Sequence, residues 1–152
     1  MIPELRNRIR GKRLVIIGVG NSLRGDDGVG PALVERLQGK TSATLIDASD
    51  VPENYLGLVA QAQPQVVVIV DAVELGASPG DLALIEAAQL GGAKATTHNT
   101  SLAPFVQILQ ADTGADIFLL AIQPRATLFG EGLSAPVRVT LERLEQVFIE
   151  LA

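Results

Sequence analysis

The chain has 152 residues, 47% of them hydrophobic, and contains no cysteine. This length is typical of one domain whose core needs no disulfide or structural metal, so we expect a single domain over residues 1–152. The net charge of -5 argues against a surface for nucleic acid, and no apolar stretch reaches the roughly 20 residues that cross a bilayer. The absence of cysteine excludes thiol nucleophiles, cysteine zinc sites and disulfides, which fits the cytoplasm.

The first half of the chain has the pattern of strands that alternate with helices. Leu14–Val19 is continuously apolar, as in strands that are covered on both faces. Pro31–Leu37 has apolar residues on one helical face, and Gly39 is a suitable stop. Thr44–Ile46 is a shorter strand candidate. Asp50–Glu53 has the spacing of a capping box and predicts the start of the next helix.

The second half of the chain continues this pattern. Val66–Val70 and Ile117–Ile122 are two further continuously apolar strand candidates. Ser101–Gln110 and Val137–Leu151 are predicted helices, the second because its apolar residues recur at helical spacing. Strands separated by helices in this way are typical of largely parallel sheets.

One connection is too short for a parallel crossover, which generally takes a dozen or more residues. It runs from Asp71 to Asp81, so we expect the next strand, Leu82–Ile85, to be antiparallel to its predecessor. The sequence therefore predicts an α/β protein with three layers, α/β/α, and a mixed, mostly parallel sheet of about five strands, one of them antiparallel.

Polar side chains follow the predicted strands at the positions where ligands bind. In open α/β sheets the ligand site lies beyond the carboxyl ends of the parallel strands. The residues in these positions are Asp27, Asp47, Asp71 and Gln123. His98, the only histidine, precedes the helix Ser101–Gln110, which must run back before the next parallel strand begins. Its amino end therefore lies at the same edge, and we expect Asp27, Asp71 and His98 to meet.

These three side chains would form a set of two carboxylates and one imidazole. Helix amino ends favour the carboxylate of Asp27 and the neutral imidazole of His98, which are the forms that bind metals. The set suits nickel, zinc, iron or manganese and leaves positions open for water or substrate. The alternative is structural, because a lone histidine is often a surface residue and aspartates after strands often form turns or helix caps. Asp26 would be such a residue if it only shapes the turn.

Two other kinds of site share part of this pattern. Residues 18–20, Gly-Val-Gly, resemble a dinucleotide fingerprint, but Leu23 replaces the third glycine and the acidic pair occupies the place of the pyrophosphate. A phosphoacceptor receiver domain also has an acidic pair after its first strand and an aspartate, here Asp71, after its third. That class expects a lysine where this chain has Gln123, and it gives no role to His98.

A longer motif resembles a known family. Residues 18–31 are similar to the amino-terminal signature of nickel-iron hydrogenase maturation endopeptidases. The resemblance continues, in the right order and over nearly the whole chain, through residues 52–54, 70–72, 79–80, 96–99 and 122–124. The branch that the chain most resembles processes the large subunit of the hydrogenase-3 type.

The resemblance implies an endopeptidase that removes a carboxyl-terminal extension from the hydrogenase large-subunit precursor after nickel insertion. The nickel-recognising residues of the family correspond to Asp27, Asp71 and His98, which makes these the implied metal and catalytic residues. The nickel is expected to arrive with the precursor. The residues leave open whether a metal-activated water or a carboxylate base cleaves the peptide bond.

Overall fold

A five-stranded sheet forms the centre of the molecule. The computed structural model describes residues 1–90 and 97–152, with side chains for residues 1–90 and 102–152. The strands are β1 (Leu14–Val19), β2 (Thr44–Ser49), β3 (Val66–Ala72), β4 (Leu82–Glu86) and β5 (Asp116–Ile122). Their order across the sheet is β2-β1-β3-β5-β4. The first four strands in that order are parallel and β4 is antiparallel to β5, which confirms the mixed sheet.

Helices cover both faces of the sheet. The α-helices in the described residues are α1 (Ile2–Ile9), α2 (Val29–Leu37), α3 (Leu56–Gln61), α4 (Thr97–Thr113) and α5 (Ala135–Leu151). Side chains of α1, α2 and α5 share one core with the sheet, and those of α3 and α4 share a second core on the opposite face. The three layers are therefore confirmed. None of the helices described is long and apolar enough to cross a membrane.

The two cores explain why the central strands are apolar without interruption. Successive side chains of a strand point to opposite faces. In β1, Ile16 belongs to the core of α1, α2 and α5, and Ile17 belongs to that of α3 and α4; in β3 the same holds for Val68 and Ile69. Each of these side chains is fully buried. Because burial of one such side chain contributes about 1.5–3 kcal/mol, neither face tolerates polar alternation.

Close packing of backbones brings helix α2 to the carboxyl end of the sheet. A Cβ atom on Gly30, in the first turn of α2, would lie 2.3 Å from the carbonyl oxygen of Val70 and 2.7 Å from that of Val19. A Cβ atom on Gly18 would lie 2.4 Å from the carbonyl oxygen of Gly30. The contact therefore requires glycine on both sides, and it fixes the start of α2 beside the ends of β1 and β3.

Three differences from the sequence prediction concern helices and helical turns. Helix α1 was not predicted. Helix α4 begins at Thr97 rather than Ser101, so His98 lies within its first turn and not ahead of it. The predicted capping box is wrong, because a short 3-10 turn begins at Pro52 with Val51 as its N-cap and no side-chain cap bond. The fixed φ of proline favours the first helical position and so sets this start.

Candidate active site

Asp27 lies in a 3-10 turn, Gly25–Gly28, that leads directly into α2. Its side chain is buried, and its Oδ2 atom accepts a hydrogen bond of 2.9 Å from the backbone N–H of Asn21. The amino end of α2 follows at once, and a helix amino end favours a carboxylate. The local sequence therefore holds the Asp27 side chain in a fixed position at the end of β1.

Asp71 lies inside β3, one residue before the strand ends, and is fully buried. It is in register with Ala121 of β5. The sequence placed Asp71 after the strand, and the structure places it in the next-to-last pair of the ladder. Either way it is at the carboxyl edge, and its position on a central strand makes it rigid.

Gly20 links the two aspartates. Its φ of 139° lies in the region that favours glycine. A Cβ atom at this position would lie 1.9 Å from the carbonyl oxygen of Asp27 and 3.6 Å from Oδ1 of Asp71. The backbone of Asp27 and the carboxylate of Asp71 therefore lie against the same residue. The fold therefore places these two residues beside Gly20, whereas their role as ligands stays a prediction.

His98 lies in the first turn of α4, which precedes β5. The 17 residues of α4 span about 25 Å and the 7 residues of β5 about 23 Å, so the helix runs the full length of the strand before the chain turns back. The backbone of His98 thus lies toward the carboxyl edge of the sheet, and the meeting of its side chain with Asp27 and Asp71 stays a prediction. Its side chain lies outside the described residues.

The metal-ligand set itself stays a prediction. Among the side chains of residues 1–90 and 102–152, no group of three histidine, aspartate or glutamate residues could hold a metal ion. The predicted set consists of Asp27, Asp71 and His98, and the last of these is not in that part of the chain. The donor chemistry of two buried carboxylates at one edge, with a histidine position at the same edge, fits nickel.

Asp26 joins two distant loops and does not face the site. It is 1% exposed. Its carboxylate accepts hydrogen bonds from the backbone N–H of Arg125 (2.8 Å), the backbone N–H of Ser134 (2.7 Å) and the hydroxyl of Ser134 (2.7 Å). Its own N–H donates to the carbonyl of Ala126 at 2.9 Å. Asp26 therefore does more than shape its own turn, because it fixes the loop that follows β5.

The other two predicted edge residues have structural contacts. Gln123 is buried and its Oε1 atom accepts hydrogen bonds from the backbone N–H groups of Leu75 (2.7 Å) and Ala77 (3.2 Å), while its amide donates to Glu74. Gln123 thus holds the loop after β3. Asp47 is exposed and accepts a hydrogen bond from the N–H of Ser49, which is a turn-forming contact.

A cleft opens at this edge of the sheet. It has a volume of about 530 Å³ and is lined by residues from the ends of β1, β2, β3 and β5 and the loops that follow them. The charged residues in the lining are Arg24, Asp27, Asp50, Glu74 and Arg125. Asp27 is therefore accessible from the cleft, whereas Asp71 is buried and is not among the lining residues. The lining therefore offers both cationic and anionic contacts to a ligand.

The HycI hydrogenase maturation protease family has a model that matches residues 29–151. The chain is also 34% identical over 135 residues to the hydrogenase 3 maturation protease of Escherichia coli K12, covering 87% of this chain and 86% of that protein. The chain belongs to the hydrogenase maturation protease family. The resemblance found in the sequence is thereby confirmed, and the chain is a hydrolase.

Solved structures of this protease family have the same fold. The crystal structure of the [NiFe] hydrogenase maturation protease HycI from Thermococcus kodakarensis KOD1 superposes with a TM-score of 0.89 at 32% identity, covering 97% of both chains. The hydrogenase maturating endopeptidase HybD from Escherichia coli superposes with a TM-score of 0.72 at 26% identity, covering 89% of both chains. The cleft at the carboxyl edge is therefore the candidate active site of a maturation protease.

Sequence reasoning about this protease missed the two arginines of the cleft. Arg24 lies within the long signature motif and Arg125 lies in the loop after β5. Among the described residues neither guanidinium forms an ion pair, since the salt bridges there involve other basic residues. The signal that predicted the aspartates, a position just beyond a parallel strand, applies to both arginines as well.

Proposed function

We propose that this protease removes a carboxyl-terminal extension from the large-subunit precursor of a nickel-iron hydrogenase after nickel insertion. Family membership supports the protease activity and the hydrogenase context. The buried carboxylates at the end of the sheet support the role of nickel, because carboxylates that lie together at one edge are suited to bind a metal ion. The observation that carries the proposal is the shared position of Asp27 and Asp71 around Gly20.

The three predicted ligands have different positions relative to the cleft, and we assign their roles accordingly. Asp71 is fully buried on β3, so it would bind nickel from the inner side of the site. His98 would contribute its imidazole from the first turn of α4. Asp27 lines the cleft, so it is the carboxylate that reaches the peptide. Three protein ligands leave positions on the metal for ligands from the precursor.

Hydrolysis requires a water at the scissile carbonyl and a group that removes its proton. Asp27 is the carboxylate of the predicted set that lines the cleft, so we assign one of its oxygens to nickel and the other to the proton of the water when the precursor is bound. Nickel held by the precursor would polarise the carbonyl or the water. In this arrangement the metal is cargo of the substrate, and the protein alone is expected to purify without it.

A comparison of nickel-loaded and nickel-free precursor tests this function. Both forms would be incubated with the protein, and the mass of the large subunit would show whether its carboxyl terminus has been shortened. We expect cleavage of the loaded form only. Equal cleavage of both forms would refute nickel gating but not the protease activity, and cleavage of neither would refute the proposed function.

The two alternative functions fit the structure less well. A phosphoacceptor receiver domain expects a lysine after its last strand, where this chain has Gln123, and the Gln123 side chain is bonded to Leu75, Ala77 and Glu74. A dinucleotide would place its pyrophosphate at the start of α2, where Asp27 is held by Asn21. We expect neither phosphorylation of Asp71 by a small phosphodonor nor saturable binding of nicotinamide nucleotide. The precursor is the proposed partner, nucleic acid is not, and the cytoplasm is the proposed location.

A further inference from the structure

An apolar surface borders the cleft and has no role in the chemistry assigned so far. It consists of Leu23, Leu128 and Phe129, which are 61%, 60% and 70% exposed, and we call these three residues the apolar rim. They are three of the large apolar residues that the protein leaves open to solvent. Exposed apolar groups that adjoin one another mark interaction surfaces more often than scattered ones do.

The rim belongs to a fixed framework and not to a loose loop tip. The N–H of Gly130 donates a hydrogen bond of 2.7 Å to the carbonyl of Leu23, and the N–H of Gly25 donates one of 3.0 Å to the carbonyl of Glu131. These bonds pair the loop after β1 with the loop after β5. The carboxylate of Asp26 joins the same two loops from beneath. These hydrogen bonds therefore hold the backbone of the rim in a position that leaves its side chains exposed.

Two arginines connect the rim to the cleft. The guanidinium of Arg24 lies 6.0 Å from the centre of the Phe129 ring, a distance at which cation–π attraction begins to act. Arg24 and Arg125 also line the cleft. Because neither forms an ion pair among the described residues, both can bind a carboxylate of a partner. The surface thus offers apolar area next to two cations.

We propose that the apolar rim, with Arg24 and Arg125, binds the large-subunit precursor through a segment in which an apolar side chain lies next to a carboxylate. This inference rests on the proposed function for the identity of the partner. Its support is the continuity of the rim with the cleft and the complementary charge of the two arginines. The rim contributes affinity for the precursor and sets the position of the bound segment along the cleft, whereas the buried carboxylates act on the reaction itself.

Steady-state cleavage and binding would be measured for Phe129→Ser combined with Leu128→Ser. The matched control is Val139→Ser, which removes a 58% exposed apolar side chain from α5, away from the rim. We expect the rim variant to raise KM for nickel-loaded precursor about tenfold or more with kcat unchanged, as for a contact residue at an interface. The control should match the wild type. An unchanged KM, or a fall in kcat alone, would overturn the proposal.

A binding measurement separates this inference from the proposed function. The rim and control substitutions would be placed in an Asp71→Asn background, and the Kd for the precursor would be measured without cleavage. We expect the rim substitutions to weaken binding about tenfold relative to the control. Equal Kd values would refute the docking surface even if the wild type cleaves precursor. A raised Kd would support it even if cleavage fails.

An additional pair of variants tests the charge. Arg125→Glu keeps the backbone N–H that binds Asp26 but reverses the side-chain charge, so it should weaken precursor binding in the same assay, whereas Arg125→Lys should retain most of it. Equal binding by both variants would refute the assigned role of Arg125.

Discussion

Ser134 donates two hydrogen bonds to Asp26, one from its backbone N–H to Oδ1 and one from its hydroxyl to Oδ2, each 2.7 Å long. The two residues are 108 positions apart. This contact joins the signature loop after β1 to the start of α5, and the same carboxylate also binds the N–H of Arg125. The geometry of the cleft therefore depends on a residue that is not part of it.

Asp26→Asn is expected to destabilise the fold. The amide would present N–H donors to groups that are themselves donors, and it would lose the charge that strengthens the bonds. We expect a loss of about 2–3 kcal/mol in the free energy of unfolding, measured by urea denaturation. Ser134→Ala removes only the hydroxyl bond and should cost about 1 kcal/mol. Equal stability of Asp26→Asn and wild type would show that Asp26 only shapes its own turn.

Gly20→Ala should disrupt the site by sterics alone. The added methyl group would lie 1.9 Å from the carbonyl oxygen of Asp27, and the φ of 139° is unfavourable for alanine. We expect a loss of several kcal/mol, on the order of 3, in unfolding free energy. Gly57→Ala is the control, because Gly57 lies in α3 with nothing near the new methyl group, and it should stabilise by about 0.5–1 kcal/mol. Thermal melts of both proteins test the contrast.

The carboxyl-edge position of Asp27 and Asp71 could be predicted because it follows from strand order alone. A continuous apolar run fixes a doubly covered strand, and the residue at its end must lie at the edge of the sheet. The contacts of Asp26 could not be predicted, since its partners come 99 and 108 positions later and no local pattern marks them. Helix α1 was missed because it is only eight residues long and buries two side chains, Leu5 and Ile9.

Arg8 ties α1 to the sheet and should matter for stability. Its guanidinium binds Glu86 and Asp116 at 2.6 Å each and lies 4.1 Å from the centre of the Phe118 ring. Burial by itself lowers the pKa of Arg8, but the hydrogen bonds and charges of the two carboxylates outweigh it and raise that pKa. Arg8→Met keeps most of the apolar stem and removes the charge. We expect a loss of about 1–2 kcal/mol, smaller at high salt.

Arg10→Met provides the comparison for Arg8, because Arg10 is exposed just beyond α1 and forms no ion pair among the described residues. It should leave the unfolding free energy within about 0.5 kcal/mol of wild type. Urea denaturation of the two variants at low and high salt would show the difference. If both variants behave alike, the ion pairs of Arg8 make no net contribution.

Glu145 on α5 gives the fold a pH-dependent contact with α2 and the turn after it. It binds Arg36 at 3.2 Å and Lys40 at 3.1 Å. Burial by itself raises the pKa of Glu145, but the hydrogen bonds and charges of Lys40 and Arg36 outweigh it and lower that pKa below its ordinary value of 4.5. Because the folded pKa is the lower one, the stabilisation is fully present above pH 4.5 and is lost as the pH falls through the folded pKa.

Glu145→Gln should therefore destabilise the protein at pH 7 and have no effect in strong acid. Both basic partners are more than a third exposed, so solvent screens the contact and we expect about 0.5–1 kcal/mol. Glu142→Gln, an exposed neighbour on the same helix, is the control. Unfolding free energies of the wild type, Glu145→Gln and Glu142→Gln would be compared between pH 3 and pH 7, because Glu145 becomes protonated toward the acid end of this range. A difference that persists unchanged into acid would contradict the assignment.

The site residues themselves should separate folding from function. Asp71→Asn keeps the shape of a buried side chain while removing its charge, and His98→Gln keeps a hydrogen-bonding group but supplies a poor nickel ligand. Asp27→Asn retains a side-chain oxygen that can accept from the N–H of Asn21. We therefore expect three folded proteins that no longer process precursor, with cleavage lowered by about 100-fold or more, as for loss of a general base or metal ligand.

Melting temperature and precursor cleavage would be measured for these three variants beside Asp26→Asn. We expect Asp26→Asn to lose mainly stability, because its carboxylate accepts four hydrogen bonds from the segment between β5 and α5. The other three variants should lose mainly cleavage. A carboxylate that serves only the fold would show the two losses in proportion. If Asp27→Asn and Asp71→Asn lower cleavage only as far as they lower the melting temperature, both residues are structural, and nickel must be recognised elsewhere in the cleft.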